Sequence, residues 1–416
     1  MLRWWMLALF AITIMGCYYE YDAIAPIADF LVTQRGFTHS QVGMLNAVFS
    51  IPNIFLALIG GMLIDRYGPA LVALWSSVLC LIGAVLTAVG EPYRIMVLGR
   101  LIFGVAEEAL FIALLAAIAQ WFWRGNTALA MALFFSLARV GSYAADRSPT
   151  WARSVYEQGW QMPLWLGAAI TATGVIAAAM YFLADRKWRP AARAAAPERV
   201  SWRDIWSFDR SFWYILALNV LFASVFFPFR STFAIKFFQD AKGLTLEQAG
   251  TANSWVFFAA IFMTPVFGCI ADRWGHRALL LTIGTLLLPL TFVVLGTSDL
   301  PLWVSTTLMG TSFCVVPAVI WPATAMLVDP KRLGTAYGLI NLLQNLGLAV
   351  CNLFAGWLND HAGASAANPA GYQPMLWFFG VTAFIAFLSV FALWRRESGP
   401  RGHGLESAQP RGGAAA

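Results

Sequence analysis

The stretch Gly61-Met62-Leu63-Ile64-Asp65-Arg66-Tyr67-Gly68 decides the fold, because the chain repeats its pattern as Gly268-Cys269-Ile270-Ala271-Asp272-Arg273-Trp274-Gly275. Each copy lies between two long apolar runs. The two aspartates are 207 residues apart (272 − 65), which is about half of the 416-residue chain. A motif that recurs at this offset predicts two structurally related halves.

The composition is that of a membrane protein. Hydrophobic residues make up 60% of the chain, charged residues only 12%, and the mean hydropathy is +0.68. Crossing a hydrocarbon core of about 30 Å takes roughly 20 helical residues, and twelve apolar runs reach that length. We therefore predict an all-α protein with twelve transmembrane helices, approximately at 4–33, 41–64, 70–90, 95–123, 127–145, 162–184, 212–239, 246–271, 278–296, 301–327, 334–359 and 374–394.

The predicted helices fall into two bundles of six. The first bundle takes residues 1–184 and the second takes residues 212–395. Residues 185–211 are rich in Arg, Ala and Pro and form the predicted linker. From 396 to 416 the chain has no apolar period, so we expect a disordered tail.

Lys and Arg define the predicted orientation. Of the 27 basic residues, 18 lie in segments on the side of the two termini and 5 lie in segments on the other side. This bias predicts that both termini are cytoplasmic. The chain shows no Asn-x-Ser/Thr sequon and no sorting extension, which favours the inner (plasma) membrane of a bacterium. Because the basic residues are dispersed over short loops, the net charge of +6 implies no nucleic-acid partner.

The paired turns resemble those of the major facilitator superfamily, whose members carry Gly-x-x-x-Asp-Arg-aromatic-Gly after the second helix of each half. Further stretches resemble the branch that includes the lysosomal dipeptide uniporter of animals. These stretches are Tyr21-Asp22, Pro52-Asn53, Gly99-Arg100 running to Glu108, Ala138-Arg139-Val140-Gly141-Ser142, Phe227-Pro228-Phe229, Pro265 to Gly268, and Leu333-Gly334 running to Gly347. The resemblance implies a monomeric bacterial transporter that works by alternating access, without ATP or another cofactor.

The resemblance also implies a conformational latch at the cytoplasmic turns. In the superfamily, this turn stabilises one of the two alternating states. The residues assigned to it here are Gly61, Asp65, Arg66, Gly68, Arg100, Gly268, Asp272, Arg273 and Gly275. In the first copy Pro69-Ala70 replaces the usual basic pair, whereas the second copy keeps His276-Arg277, so the first half of the latch is expected to be weaker.

Charged residues inside the spans are the first candidates for the substrate site. A charge at mid-membrane costs about 2.5–3.5 kcal/mol on insertion scales, so such side chains usually face a cavity or a partner. Glu20 and Asp22 point about 200° apart on a helix, and we choose Asp22 as the cavity residue. Glu107 and Glu108 are about 100° apart, and we choose Glu108, which matches the acidic residue of the branch.

By resemblance, Glu108 and Arg139 hold the two ends of a zwitterionic peptide, with Arg139 binding the carboxylate and Glu108 the amino group. The alternative is an internal salt bridge between the two residues. Arg230 follows Pro228-Phe229, where a kink would open backbone groups to the cavity. It is a second carboxylate anchor, a gate or a contact with lipid headgroups. Further residues predicted to line the cavity are Tyr21, Asn53, Asn253, Trp321, Asn341, Gln344 and Asn345.

Other functions stay open at this point. Uptake of an organic anion or amino acid is the second candidate, because Arg139 and Arg230 alone would suit a carboxylate. Drug efflux is less favoured, because span 5 lacks the Gly-Pro-rich signature. A receptor role is a further class, whereas an enzyme is not expected, since no metal cluster or nucleophile–base spacing occurs in the spans. A buried carboxyl group could bind a coupling proton or act as a fixed charge, so symport and uniport are not distinguished.

Overall fold

The computed structural model describes residues 2–53, 62–64, 66–122, 126–188, 208–329, 332–400 and 402–407, apart from the side chains of residues 128, 272 and 334. These residues form helices joined by short connections. The α-helices are α1 (Leu2–Asp22), α2 (Ile24–Thr33), α3 (His39–Ser50), α4 (Pro69–Val89), α5 (Tyr93–Trp121), α6 (Thr127–Trp151), α7 (Arg153–Tyr156), α8 (Gln161–Trp188), α9 (Arg210–Pro228), α10 (Ala234–Lys242), α11 (Leu246–Trp274), α12 (Arg277–Thr297), α13 (Leu302–Leu327), α14 (Leu333–His361) and α15 (Gln373–Glu397).

Ten helical segments among the described residues are long and apolar enough to cross a membrane. Two of the twelve predicted spans are not among these ten. The predicted span 41–64 continues from α3 into residues that the structure does not describe. The span predicted at 127–145 forms the long helix α6, which is less apolar because it contains Arg139, Asp146 and Arg147.

Successive long helices run antiparallel, because the connections between them are short. Alternation places the start of α1, the end of α15, the end of α8 and the start of α9 at one face, which we call the terminal face. The opposite face, called the distal face here, carries the connections 34–38, 90–92, 157–160, 243–245, 298–301 and 362–368. This arrangement puts the two copies of the repeated turn at the terminal face.

The 207-residue repeat is also visible in the local structure. Thr38 and Gln41 form a capping box at the start of α3, and Thr245 and Gln248 form the same box at the start of α11. In both, the Thr side chain accepts a hydrogen bond from the third backbone amide and the Gln side chain accepts one from the cap residue. Equivalent helices of the two halves therefore begin with the same Thr-x-x-Gln pattern.

The first membrane-crossing segment of each half is interrupted. In the first half, α1 ends at Asp22 and α2 begins at Ile24. In the second half, Pro228 ends α9 and is followed by a π-helical turn, Phe229–Phe233, before α10. A proline lacks the amide donor that continues a helix, and π turns are frequent at functional sites. The interruptions bring Asp22 and Arg230 to comparable depths.

The tail contains more structure than the sequence predicts. Arg396 and Glu397 still belong to α15, although disorder is predicted for 396–416. Leu405 is fully buried, and Glu406 bonds to the start of α12 through the Leu279 amide at 3.1 Å. A carboxylate at a helix N-terminus satisfies free amides, which gives these residues an ordered position without an apolar period.

Candidate substrate-binding site

A cavity lies between the two halves near mid-depth. It encloses about 640 Å³ of space, part of which is continuous with solvent. Its lining is formed by Tyr18, Tyr21, Asp22, Phe49, Asn53, Glu107, Glu108, Arg139, Phe227, Asn341, Gln344, Asn345 and Leu348.

Arg139 lies halfway along α6, half-buried at this cavity. Its guanidinium carbon is 4.9 Å from the ring centre of Tyr18 and 5.1 Å from those of Phe257 and Phe313. Within the part of the chain that the structure describes, no carboxylate lies within ion-pair distance of it. Ring faces attract a cation but leave its N–H donors unused. Arg139 can therefore still bind a carboxylate in the cavity.

Both Glu107 and Glu108 line the cavity, although the sequence reasoning chose only Glu108. A separation of about 100° on the helix lets two neighbours face one wide space. Glu108 Oε1 accepts a hydrogen bond of 3.1 Å from Asn341 Nδ2, which joins the two halves. The described residues show no ion pair between Glu108 and Arg139, the internal salt bridge that was the alternative.

Three predicted lining residues lie elsewhere. Arg230 and Asn253 are buried on the distal side of the cavity. Trp321 is 39% exposed and packs edge-on against Tyr337 near the terminal end of α13. Asp22, Tyr21, Asn53, Asn341, Gln344 and Asn345 are at the cavity together with Glu108 and Arg139.

Arg230 belongs to a buried ion cluster, called the distal cluster here, with Asp22, Asp146 and Asn253. Arg230 Nη1 lies 2.6 Å from Asp22 Oδ1, and its Nη2 bonds to Asp146. Asn253 Nδ2 donates to Asp146 Oδ1 at 3.1 Å and to the Arg230 carbonyl at 3.2 Å. The aspartates belong to the first half and the other two residues to the second, so the cluster joins the halves.

Glu20 and Arg100 are buried in the first half near this cluster. Arg100 donates to the carbonyls of Leu45, Glu20 and Tyr21 and to Asn46 Oδ1. Glu20 faces α8 at Gly167, and both of its carboxyl oxygens are buried without a hydrogen bond. Glu20 is therefore on a different side of α1 from Asp22, which borders the cavity.

More contacts between the halves lie toward the distal face. Asn46 Nδ2 donates to the Ser231 carbonyl and to Thr232 Oγ1. Lys236 Nζ lies 2.7 Å from Asp29 Oδ1, and these two residues are themselves separated by 207 positions. Asp360 accepts from the backbone amides of His39 and Ser40. Polar contacts thus hold the two halves together between the cavity and the distal face.

The predicted latch is only partly visible. Gly61 and Asp65 lie outside the described residues, as does the side chain of Asp272. Gly68 and Gly275 adopt positive φ values of 80° and 71° at the adjoining helix ends. The Arg66 guanidinium lies over the ring of Tyr67. Arg273 is exposed, and no atom lies within 4 Å of a Cβ added at Gly268. Arg100 lies in the distal third of α5, away from these turns. The latch assignment stays a prediction.

Asp146 is the main residue that the sequence reasoning missed. The predicted span ends at 145 and leaves Asp146 outside the membrane, but the helix continues to Trp151. The helical spacing offers a signal, because Asp146 is seven residues from Arg139 and so lies on the same face of α6. The pair of Asp29 and Lys236 also had a signal in the sequence, namely the 207-residue offset.

Comparisons with known proteins agree with this architecture. A profile of the Major Facilitator Superfamily matches residues 10–245 and 220–414. The lysosomal dipeptide transporter MFSD1 of Danio rerio is 27% identical over 394 residues, which cover 91% of this chain and 84% of that protein. The "Probable sulfoacetate transporter SauU" of Cupriavidus necator is 23% identical over 366 residues, which cover 82% of this chain and 84% of that one.

Among solved structures, a variant of the nucleoside transporter NupG has a similar fold. The TM-score is 0.76 at 13% sequence identity, and the match covers 93% of this chain and 99% of that one. At this identity the likeness concerns the fold alone.

Proposed function

The chain belongs to the Major Facilitator Superfamily and is a membrane transporter rather than an enzyme, and we propose that it carries dipeptides across the plasma membrane of a bacterium. The two halves alternate around the central cavity. With both termini in the cytoplasm, as the Lys and Arg distribution predicts, the distal face lies outside the cell. The chain works as a monomer, and its partners are the peptide and the bilayer.

The observation that carries this proposal is the environment of the Arg139 guanidinium. Its guanidinium faces the cavity, contacts ring faces and has no carboxylate partner among the described residues. Glu107 and Glu108 face the same space. A dipeptide zwitterion has a carboxylate that fits the fork of Arg139 and an amino group that fits Glu108. The opposite charges of Arg139 and the two glutamates in this cavity thus match the opposite charges at the two ends of the ligand.

The remaining walls suit a peptide between those charges. Amides of Asn53, Asn341, Gln344 and Asn345 line the cavity and offer donors and acceptors to a peptide bond. Tyr18, Tyr21, Phe49 and Phe227 supply apolar and ring surface. Glu107, which forms no ion pair with the described residues, leaves an additional acceptor for a polar or basic side chain.

Transport of an organic anion is the second candidate. A relative named for sulfoacetate is 23% identical, and Arg139 by itself suits any carboxylate or sulfonate. Two glutamates in the same cavity repel a ligand that carries only negative charge. This repulsion favours a zwitterion over a dianion.

Uptake into proteoliposomes tests the proposal. The purified protein should accumulate a labelled neutral or basic dipeptide, and Arg139→Ala should lower this uptake to background. Arg139→Lys should weaken the apparent affinity for the dipeptide at least about tenfold, because a lysine cannot form the planar fork. Arg94→Lys is the matched control and should keep wild-type uptake, since Arg94 is exposed at the distal start of α5 and does not line the cavity. An imposed pH gradient separates proton symport from uniport.

A competition panel decides between the two candidates. Unlabelled dipeptides should compete with the labelled peptide, whereas sulfoacetate and dicarboxylates should not. Uptake that only the anions inhibit, or the absence of any dipeptide uptake by a monodisperse protein, would reject the peptide proposal in favour of the anion one.

A further inference from the structure

One strip of contacts connects the cavity with the distal face. Helix α6 of the first half and α11 of the second half run side by side in opposite directions. Tyr143 and Phe258 have ring centres 5.7 Å apart, and Arg147 Nη1 lies 3.2 Å from Thr251 Oγ1. At the distal end, Arg153 at the start of α7 lies 3.4 Å from Glu247 of α11. The contacts follow one another along α6 and the start of α7 on one side and along α11 on the other, and we call them the α6–α11 strip.

The cavity end of this strip is formed by Arg139 and Phe257. Phe257 is fully buried on α11, and its ring centre lies 5.1 Å from the guanidinium carbon of Arg139. The same ring lies 3.9 Å from the guanidinium carbon of Arg230. Phe257 is thus in contact with the cavity arginine of the first half and with the arginine of the distal cluster.

Helices α6 and α11 link the contacts of Phe257 to the distal cluster. Asn253 precedes Phe257 by four residues on α11 and bonds to both Asp146 and the Arg230 carbonyl. Asp146 follows Arg139 by seven residues on α6. Residues at these spacings lie on the same helix face, so a shift of Arg139 relative to α11 also displaces Asp146 relative to Arg230.

We propose that Phe257 is a positioning residue that couples occupation of the cavity to closure of the distal face. The ring holds Arg139 against the second half and supports the guanidinium of Arg230 as it pairs with Asp22 and Asp146. Cation–π contacts that are shielded from water are stronger than exposed ones. A carboxylate bound to Arg139 therefore acts on the same ring that stabilises the distal cluster.

This inference rests on the transport function, but its first test needs no substrate. Spin labels on Gln158→Cys and Asp299→Cys, two exposed positions at the distal face of different halves, report the distance between the halves. The background carries Cys269→Ser, because Cys269 is the exposed member of the five cysteines, all of which the structure describes. Pulsed electron resonance in nanodiscs then gives the populations of distal-closed and distal-open protein.

Phe257→Leu should lower the ratio of closed to open protein about tenfold, equivalent to about 1.4 kcal/mol. Phe257→Tyr keeps the ring and should restore most of the wild-type ratio. Phe313→Leu is the matched control, because Phe313 packs edge-on against Phe257 at 5.2 Å and lies 5.1 Å from the Arg139 guanidinium, but among the described residues it makes no cation–π contact with Arg230. It should change the ratio by less than about threefold, a fraction of the effect of losing both contacts.

The second measurement adds a dipeptide that the protein transports. In the wild type, the dipeptide should change the closed population, and in Phe257→Leu this change should be small while Phe257→Tyr retains it. Equal effects of Phe257→Leu and Phe313→Leu, or a wild-type distance distribution in Phe257→Leu, would overturn the proposal. If no dipeptide is transported, the substrate-free comparison still decides the role of Phe257, so the two proposals fail independently.

Discussion

Arg139 and Arg230 contact the same phenylalanine ring but have opposite surroundings. Arg230 is completely buried and pairs with two carboxylates that come from the other half. Arg139 is half-buried at the cavity and, among the described residues, has ring faces but no carboxylate beside it. A paired buried charge holds structure together, whereas an unpaired charge at a cavity is available to a ligand. On this difference rests our proposal that Arg230 acts in closure and Arg139 in substrate binding.

The stability of alanine variants should separate the two arginines most strongly. Arg230→Ala leaves Asp22 and Asp146 buried without their counter-charge, so we expect a loss of about 3–5 kcal/mol or a failure to purify as a monodisperse protein. Arg139→Ala removes no ion pair and should cost about 1 kcal/mol or less. Thermal unfolding in detergent measures both. A larger loss for Arg139→Ala would reverse the assignment.

Two glycines of α14 offer a second test, because one lies at the closed distal end and the other does not. A Cβ added to Gly356 would lie 2.7 Å from the His39 carbonyl oxygen of the first half, whereas one added to Gly338 meets no atom within 4 Å. Gly356→Ala should therefore destabilise the distal-closed state by about 1–3 kcal/mol, the usual cost of overpacking.

The labels at Gln158 and Asp299 measure this effect as a rise in the distal-open population. Gly338→Ala makes the same chemical change on the same helix and should leave the populations unchanged. Equal shifts in the two variants would mean that helix propensity, and not contact between the halves, produced the effect.

The smallest effect concerns an ion pair at the terminal face. Partial burial alone would raise the pKa of Asp209. The hydrogen bond from the Ser211 amide and the charge of the Arg396 guanidinium outweigh burial and lower this pKa below its usual value. Because the folded pKa is depressed, this stabilisation is present above the unfolded pKa and is lost as pH falls through the folded pKa. The pair is partly exposed, so Asp209→Asn should cost less than about 1 kcal/mol. Thermal unfolding at pH 7 and pH 3 should show a smaller pH dependence in the variant.

Local sequence was a good guide where neighbours in the chain determine the structure. The apolar runs place most helices within a few residues, and the boxes at Thr38 and Thr245 form from four consecutive residues each. The same approach failed at Asp146, because hydropathy ends a helix where polar residues begin. Asp146 can continue α6 inside the protein since Arg230 and Asn253 satisfy its carboxylate.

The sequence predicted only in part which side chains of a helix face the cavity. The spacing of Glu20 and Asp22 separates their directions, and the structure places Asp22 at the cavity and Glu20 against α8. The spacing of Glu107 and Glu108 does not show which side chain faces the cavity, because the width of the cavity depends on how far α5 lies from α14. The Tyr and Trp residues show the same limit, since Tyr21 lines the cavity and Trp321 lies at the surface.

By itself, the sequence determined the two-fold repeat, most of the membrane-crossing segments and the position of Arg139 inside a span, because these follow from hydropathy and from order along the chain. Only the tertiary structure decided which arginine is paired. The partners of Arg230 are Asp146, 84 positions away, and Asp22 in the first segment of the chain. No local pattern reveals such partners, since an ion pair depends on how the two halves pack against each other in space.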